Sequence, residues 1–240
     1  MPYLILSDVH SNREALEAVT QDAHGLYDRI LCLGDIVGYG ADPSFTAEWV
    51  RVHSVIAIRG NHDKLCVGLD APEVYNTAAR ASALWTRQAL NPVNAAYLSN
   101  LPRGPLRVAD FDLVHGSPLD EDEYVVHAGD AAMVREYLDA PVTFFGHTHV
   151  QGGFLFTRRG IKRITPDSVL ELEADYRYLL NPGSVGQPRD ANPKAAYAIY
   201  TPEKRTMEFR RVKYDIAKAA QKILDAGLPN VLASRLYEGA

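Results

Sequence analysis

Cysteine is almost absent from this chain, and its two occurrences follow no binding pattern. Cys32 stands in an apolar run and Cys66 is isolated, so the sequence contains neither a disulfide framework nor a zinc–thiolate spacing. This scarcity excludes the small disulfide-rich secreted folds and indicates a reducing compartment. We therefore expect a cytoplasmic protein.

Long hydrophobic runs and an excess of positive charge are also missing. No apolar run approaches the ~18–20 residues that cross a membrane, and residues 1–12 lack the basic-then-apolar form of a signal peptide. The net charge of −5 and the pI near 5.9 argue against a general nucleic-acid binder, which would carry a basic face. We expect no membrane partner and no stable nucleic-acid complex.

Internal repeats, low-complexity tracts and linkers rich in Pro, Gly and Ser are absent as well. At 240 residues and 47% hydrophobic content, the chain can form one large domain. We predict a single domain over residues 1–240, with a helical insert over about 64–103. The sequence is also compatible with a homo-oligomer.

Short apolar runs separated by helical patterns occupy the first 150 residues. The runs are continuous rather than alternating, which indicates strands buried on both faces, as in an α/β protein. Ser11 and Glu14 have the spacing of a capping box and predict the start of the first helix. The five runs are Leu4–Leu6, Ile30–Leu33, Val55–Ile58, Leu113–Val114 and Val142–Phe145.

The pattern changes from Phe154 onward to strand–turn–strand segments. These segments predict a second, largely antiparallel sheet. A closing helix is predicted from Ile216 to about Ala226, with Asp215 as its N-cap and Gly227 as its stop. Its inward face is expected to include Ala220, Ile223 and Leu224.

Each of the five apolar runs leads directly to residues that can bind a metal ion. In open α/β sheets, ligands bind beyond the carboxyl ends of the strands, so these side chains are expected to converge. Five of the eight histidines lie at these ends, whereas two histidines in one polar loop would be only a weak hint. The candidate ligands are Asp8, His10, Asp35, Asn61, His115, His147 and His149.

Five sequence blocks occur in a fixed order from Asp8 to His149: "SDVH", "GDIVG", "GNHD", "HG" and "GHTH". They resemble the signature of the calcineurin-like metallophosphoesterases. "SDVHSN", "GDIVGYG" and "NPGSVGQPR" are similar to the small bacterial phosphodiesterase branch, whereas Ser/Thr protein phosphatases usually show "GDxVDRG" and "GNHE". The resemblance implies a four-layer α/β/β/α sandwich of two packed mixed sheets flanked by helices.

The resemblance also implies two divalent transition-metal ions that share Asp35. Mixed oxygen and nitrogen ligands without thiolate suit Mn²⁺, our first expectation, or Fe, Ni²⁺ or Zn²⁺, better than Ca²⁺. The implied ligands are Asp8, His10, Asp35 and His149 for one ion, and Asp35, Asn61, His115 and His147 for the other.

The implied reaction is hydrolysis of a small phosphodiester by in-line attack of a hydroxide that bridges the ions. His62 is implied to stabilise the transition state or protonate the leaving oxygen, with Asp63 orienting its imidazole. Arg189 and Asn12 are the candidate substrate contacts. Arg189 is equally suited to a surface ion pair, and Asn12 to supporting its loop.

Other functions use the same blocks. Symmetrical dinucleoside tetraphosphate hydrolases and nucleases share them, and non-catalytic scaffolds such as the retromer subunit tolerate their loss, notably at the position of His62. All blocks are intact here, which favours catalysis. A serine hydrolase is not favoured, because neither Ser117 nor Ser184 lies in a nucleophile elbow. The segment "DEDE" at 120–123 is predicted to be a solvated loop.

Overall fold

The computed structural model describes residues 1–166 and 169–240, and its strands form two six-stranded mixed sheets. From one edge to the other, the first sheet contains β3 (Ile56–Ala57), β2 (Arg29–Cys32), β1 (Tyr3–Leu6), β11 (Ala195–Thr201), β12 (Thr206–Val212) and β9 (Val169–Glu171). The second contains β4 (Leu106–Val108), β5 (Phe111–Leu113), β6 (Val142–Phe144), β10 (Arg177–Asn181), β7 (Gly152–Thr157) and β8 (Gly160–Ile164).

Among the described residues, six α-helices and three short 3₁₀ turns lie between the strands, and two more α-helices follow the last strand. The chain between β3 and β4 is helical, as predicted for that region. No helix within the described ranges combines the length and the apolar character that spanning a bilayer requires. The helices are α1 (Arg13–Asp22), α2 (Pro43–Val52), α3 (Asn61–Cys66), α4 (Thr77–Ala89), α5 (Pro92–Ser99), α6 (Ala128–Val134), α7 (Ile216–Asp225) and α8 (Asn230–Glu238).

Apolar side chains on both faces of each sheet hold the layers together. Between the sheets, Ile5 and Leu31 pack in one buried cluster with Phe111 and Phe144. The outer face of the first sheet packs against α1 and α2, and the outer face of the second packs against α6. Because burying both faces of a sheet requires a layer on each side, the strands read as continuous apolar runs. The four-layer sandwich predicted from the sequence is confirmed.

The strands after Phe154 do not form a sheet of their own, so that prediction is wrong. β7, β8 and β10 extend the second sheet, whereas β9, β11 and β12 extend the first. β11 pairs antiparallel with β1, and β10 pairs parallel with β6. A local pattern identifies a strand but not its partner, because pairing depends on contacts between distant segments.

The first helix is capped by Asn12 rather than by Ser11. Asn12 Oδ1 accepts a hydrogen bond from the Ala15 N–H at 3.1 Å. Ser11 has a φ of +53°, outside the extended conformation of an N-cap residue. Glu14 bonds Lys222 on α7 at 2.7 Å instead of completing a capping box.

The closing helix agrees with its predicted boundaries, but a further helix follows it. Asp215 caps α7 by accepting from the Lys218 N–H at 2.9 Å, and Gly227 follows with a φ of +69°. Leu224 is 43% exposed, so its inward placement was wrong. α8 was not predicted, because its mixed sequence has a weak apolar face.

Candidate metal centre

The seven predicted ligands all lie at the carboxyl ends of parallel strands, and the two sheets bring these ends to one place. Their side chains are buried. They also form two groups, in each of which the candidate ligand atoms lie within 4.8 Å of one another, with Asn61 beside the second. The groups are Asp8, His10, Asp35 and His149, and Asp35, His115 and His147, so Asp35 belongs to both.

Two imidazoles of the first group face each other with no hydrogen available between them. The Nε2 atoms of His10 and His149 are 3.1 Å apart. Their Nδ1 atoms face the carbonyl oxygens of Val37 at 3.2 Å and Gln187 at 2.6 Å. Because a carbonyl only accepts, each Nδ1 carries the hydrogen and each Nε2 presents a lone pair. A cation between them satisfies both, as in metal-binding histidines with a backbone acceptor behind them.

Two carboxylate oxygens in the same place also lack a partner. Asp8 Oδ2 and Asp35 Oδ2 are buried and accept no hydrogen bond from the described residues. Asp35 Oδ2 lies 3.5 Å from His10 Nε2 and 3.4 Å from His115 Nε2. A buried carboxylate is costly unless it is paired or binds a metal. The donor set therefore fits a divalent cation.

The second group shows the same arrangement. His115 Nδ1 bonds the Leu33 carbonyl at 2.7 Å, and its Nε2 lies 3.1 Å from Asn61 Oδ1. His147 Nε2 donates to the Asp122 carbonyl at 3.1 Å, which leaves Nδ1 as the nitrogen with a free lone pair. Backbone carbonyls thus set the tautomers of both imidazoles.

The pKa values in the cluster indicate the same demand for positive charge. Burial raises the pKa of Asp8 to about 7. Although burial opposes protonation of His115, the neighbouring Asp35 raises the pKa of that imidazole to about 10. Burial lowers the pKa of His147 to about 3, which keeps it in the neutral form that binds metals.

Five of the ligands adopt a backbone conformation that non-glycine residues rarely use. Their φ angles are positive: +52° for Asp8, +48° for His10, +53° for Asp35, +63° for His147 and +58° for His149. Such strain persists only where the surrounding structure holds it, and it concentrates at functional sites. It lets each short loop direct its side chain to one point.

Glycines beside the ligands permit this close packing. A Cβ on Gly60 would overlap Asp35 Oδ1, and a Cβ on Gly146 would lie 3.1 Å from Asp8 Oδ2. Only glycine allows the backbone to approach the carboxylates this closely.

His62 lies at the border between the metal centre and a neighbouring cleft. Its ring centroid is 4.3 Å from that of Tyr39 and 5.0 Å from that of His10. Burial lowers its pKa to about 4, so the imidazole is neutral at pH 7. Its Nδ1 is buried and has no partner among the described residues. Nδ1 lies next to Gly38, and the imidazole lines the cleft.

Asp63 has a different role from the predicted one. Its carboxylate accepts from the backbone N–H groups of Ile36 at 2.9 Å, Val37 at 3.1 Å and Gly60 at 2.9 Å. A carboxylate in the first turn of a helix can accept hydrogen bonds from free backbone N–H groups near the start of that helix. Here these groups belong to Gly60, the N-cap of α3, and to the loop after β2. Asp63 thus holds the loop of Asp35, and no hydrogen bond joins its carboxylate to the His62 imidazole within the described residues.

The two predicted substrate contacts, Asn12 and Arg189, lie in different environments. Asn12 donates to the Gly186 carbonyl at 2.9 Å and caps α1, so both ends of its amide are used and its role is structural. Arg189 makes no ion pair with the described residues. Its guanidinium donates to Gln187 Oε1 at 3.0 Å and to the Tyr39 hydroxyl at 3.4 Å. Arg189 therefore lies beside the metal centre rather than in a surface ion pair.

A cleft of about 290 Å³ opens next to Asn61 and His62, and three tyrosines line it. They are Tyr39, Tyr75 and Tyr124. Sequence reasoning missed all three. Tyr39 stands inside "GDIVGYG" and could have been noticed, whereas the other two lie outside every motif and reach the cleft only through the fold.

The acidic segment 120–123 is only partly the solvated loop that was predicted: Asp120 and Asp122 are exposed, but Glu121 is not. Glu121 is buried and accepts two hydrogen bonds from Arg59, at 3.0 and 2.9 Å. Lys64 lies 3.4 Å from Glu121 and bonds Asp122 at 2.6 Å. Charge alone suggested exposure, but cations on the facing segment compensate for burial. Through the Asp122 carbonyl, this segment reaches His147.

Known proteins resemble the chain over its full length. The family model of the calcineurin-like phosphoesterase superfamily domain matches residues 1–205. An uncharacterized protein of Methanocaldococcus jannaschii is 34% identical over 246 residues, which cover 98% of this chain and 97% of the relative. A metallophosphoesterase from Sphaerobacter thermophilus is 40% identical, with a TM-score of 0.88, 100% of this chain and 99% of that chain covered. A hypothetical protein from Pyrococcus horikoshii shares the fold at 20% identity, with a TM-score of 0.82 over 100% and 98% of the two chains.

Proposed function

Because the chain belongs to the calcineurin-like phosphoesterase superfamily, we propose that it is a dinuclear metal-dependent phosphodiesterase acting on small phosphodiesters. The metallophosphoesterase from Sphaerobacter thermophilus supports phosphoester hydrolysis. The two ligand groups around Asp35 support a count of two ions. Mixed oxygen and imidazole ligands support Mn²⁺ as the first choice, with Fe, Ni²⁺ or Zn²⁺ as alternatives.

The observation that carries this proposal is the convergence of unpaired acceptors. The lone pairs of His10 and His149 face each other at 3.1 Å, and Asp8 and Asp35 each keep a buried oxygen without a partner. Such a cluster is stable when it binds cations. Bound divalent ions would supply Lewis-acid activation of water and neutralise the charge of a phosphoryl group.

The other residues act on the substrate. We assign to Arg189 the binding of a phosphoryl oxygen, because it projects toward the centre without an ion pair in the described structure. His62 donates a hydrogen bond to the phosphoryl or leaving oxygen, since its imidazole lines the cleft beside the metal centre. Asp35, held by the His62 backbone N–H at 2.8 Å, keeps that imidazole next to the ions.

A substrate panel tests the proposal. Metal-stripped protein is resupplied with Mn²⁺, Ni²⁺ or Zn²⁺ and assayed on bis-p-nitrophenyl phosphate, p-nitrophenyl phosphate, 2′,3′-cyclic nucleotides and dinucleoside polyphosphates. Elemental analysis gives the number of ions per chain. We expect two ions and hydrolysis of the diesters. A fully loaded protein that is inert on the whole panel would favour an interaction scaffold instead.

A further inference from the structure

The cleft beside the metal centre carries an inference about the substrate. It is bounded on one side by Asn61 and His62, so a phosphate at the metal centre directs its ester group into this space. Its volume of about 290 Å³ is at the lower limit for small-molecule sites, which measure about 300–1,000 Å³. The cleft therefore has room for one organic group of modest size.

Three tyrosines and the imidazole of His62 form part of the wall of this cleft. Tyr124 lies against His147 with 3.9 Å between ring centroids, yet 51% of its surface is exposed, so part of the tyrosine surface remains open. Tyr75 is fixed by a hydrogen bond from its hydroxyl to Asp70 at 2.9 Å. Tyr39 is buried against His10 and His62. Rigid aromatic walls favour a flat aromatic ligand, which gains stacking energy at little entropic cost.

The charged side chains of the cleft indicate that the group bound there carries no negative charge. The described residues that line the cleft include two carboxylates, Asp70 and Asp122, but no Lys or Arg. The nearby Lys64 is already engaged by these two carboxylates, at 3.4 and 2.6 Å. Because one lysine serves two carboxylates, a chain of several phosphates would meet a net negative charge here. A neutral group would not.

We propose that the substrate is a diester with a single phosphate, one of whose ester groups bears a neutral planar aromatic ring of nucleobase size, and that polyphosphates are excluded. The phosphate lies at the metal centre beside Arg189, and the aromatic group lies in the cleft against Tyr124 and Tyr75. This inference rests on the proposed function, which supplies the position of the phosphate. It argues against a dinucleoside tetraphosphate as the substrate, because neither the size nor the charge of the cleft suits one.

Calorimetric binding to Mn²⁺-loaded protein in excess Mn²⁺ tests this proposal with four probes: adenosine 5′-monophosphate, ribose 5-phosphate, inorganic phosphate and diadenosine tetraphosphate. We expect the monophosphate to bind roughly 5- to 100-fold more tightly than ribose 5-phosphate, as stacking of one base predicts. The tetraphosphate is expected to bind more weakly than the monophosphate. Equal affinity for the monophosphate and ribose 5-phosphate, or a preference for the tetraphosphate, would overturn the inference.

Two variants test whether the preference for the monophosphate over ribose 5-phosphate arises in the cleft. Tyr124→Leu is expected to weaken binding of the monophosphate far more than binding of inorganic phosphate or ribose 5-phosphate, which removes most of the preference for the monophosphate. Tyr137→Leu is the matched control, because Tyr137 is 53% exposed and lies outside the cleft. If both variants keep the preference, the aromatic group binds elsewhere and the proposal is wrong. Hydrolysis of bis-p-nitrophenyl phosphate is measured on the same samples, so hydrolysis without base preference contradicts this inference alone, whereas absent hydrolysis contradicts the proposed function.

Discussion

His62 is the side chain whose contribution can be separated from metal binding. Its imidazole belongs to neither ligand group, although its backbone N–H holds Asp35. We expect His62→Ala to retain both ions and to lose roughly 10²- to 10⁴-fold in kcat, the range for losing a positioned proton donor. Elemental analysis and steady-state kinetics measure the two effects on one sample.

The exposed His24 provides the control for that experiment. His24→Ala removes an imidazole far from every ligand in sequence and is expected to change neither metal content nor kcat. Unchanged turnover in a fully loaded His62→Ala protein would refute the assignment. Loss of one ion would instead make His62 a determinant of the site's geometry.

For individual side chains, the sequence is enough to predict the position of a residue that belongs to a motif. It is not enough to predict the hydrogen-bond partners of a residue whose contacts no motif specifies. Asp8, His10 and Asp35 could be placed because each follows a strand directly, and strand ends meet in space. The partners of Asp63 and Asn12 could not, because side chains beside a ligand have backbone N–H and C=O groups within reach that no motif specifies. The burial of Glu121 depends on Arg59, 62 residues away in the sequence.

The segment 117–124 acts as an element that positions a metal ligand. Glu121 anchors it to Arg59, and the Asp122 carbonyl fixes His147. We expect Glu121→Gln to weaken binding of the second ion by about 10- to 100-fold, as the loss of a group that orients a ligand does. Calorimetric titration with Mn²⁺ should then show one tight and one weakened site.

Another buried carboxylate paired with arginine provides the comparison. Asp112 is bonded by Arg107 between β4 and β5, away from the centre. Asp112→Asn breaks a similar two-bond pair, so it is expected to lower stability but to leave both metal affinities unchanged. If the two variants bind Mn²⁺ alike, segment 117–124 has no influence on the site.

The contact between α1 and α7 makes stability depend on pH. Although burial opposes ionisation of Glu14, the hydrogen bond from Lys222 lowers its pKa below the usual 4.5. A carboxylate with a lowered pKa stabilises the fold above its unfolded pKa, and this contribution disappears as the pH falls through the folded pKa. Glu14→Gln should therefore destabilise the protein by about 1.5 kcal/mol at pH 7 and by progressively less below pH 4.5.

Urea unfolding at pH 7, 5, 4 and 3 measures this difference. Glu17→Gln is the control, because Glu17 pairs with Arg13 on the exposed face of the same helix. An exposed pair of this kind contributes at most about 0.5 kcal/mol. A difference between wild type and Glu14→Gln that is constant with pH would contradict the assignment to Lys222.

For the molecule as a whole, bound metal is expected to be a source of stability. The ligands come from both sheets, and ions bind only when the sheets are packed together. At a free concentration 100 times the Kd, one ion adds about 2.7 kcal/mol to the free energy of unfolding. Urea unfolding with Mn²⁺ and with a chelator measures the gain.

Substitution of one predicted ligand gives a second stability test under the same two conditions, with Mn²⁺ and with a chelator. Asp8→Asn removes one of two neighbouring buried carboxylates, so in chelator it should be more stable than wild type, because the cost of burying that charge and its repulsion with Asp35 are both removed. In Mn²⁺ it should be less stable, because a ligand is lost. A variant that is less stable under both conditions would show that Asp8 serves the fold rather than the ions.

The four layers could be predicted from the sequence, but the pairing of their strands could not. Continuous apolar runs indicated burial on both faces, and the resemblance supplied two mixed sheets. β11 joins the first sheet by pairing with β1, as in Tyr3 with Tyr200, and β10 joins the second by pairing with β6, as in Tyr178 with Val142, so both assignments depend on non-local contacts. The cleft depends on the same long-range arrangement, since Tyr75 and Tyr124 approach each other only in the folded chain.

That pairing has a consequence for biosynthesis. β11 lies between β1 and β12, and β10 lies between β6 and β7, so each sheet receives a central strand from the last third of the chain. During translation, the first sheet therefore waits for residues 195–201 to leave the ribosome. Until then the nascent polypeptide exposes unpaired edges, which makes chaperone binding more important and premature truncation more harmful than in a protein that matures in sequential modules.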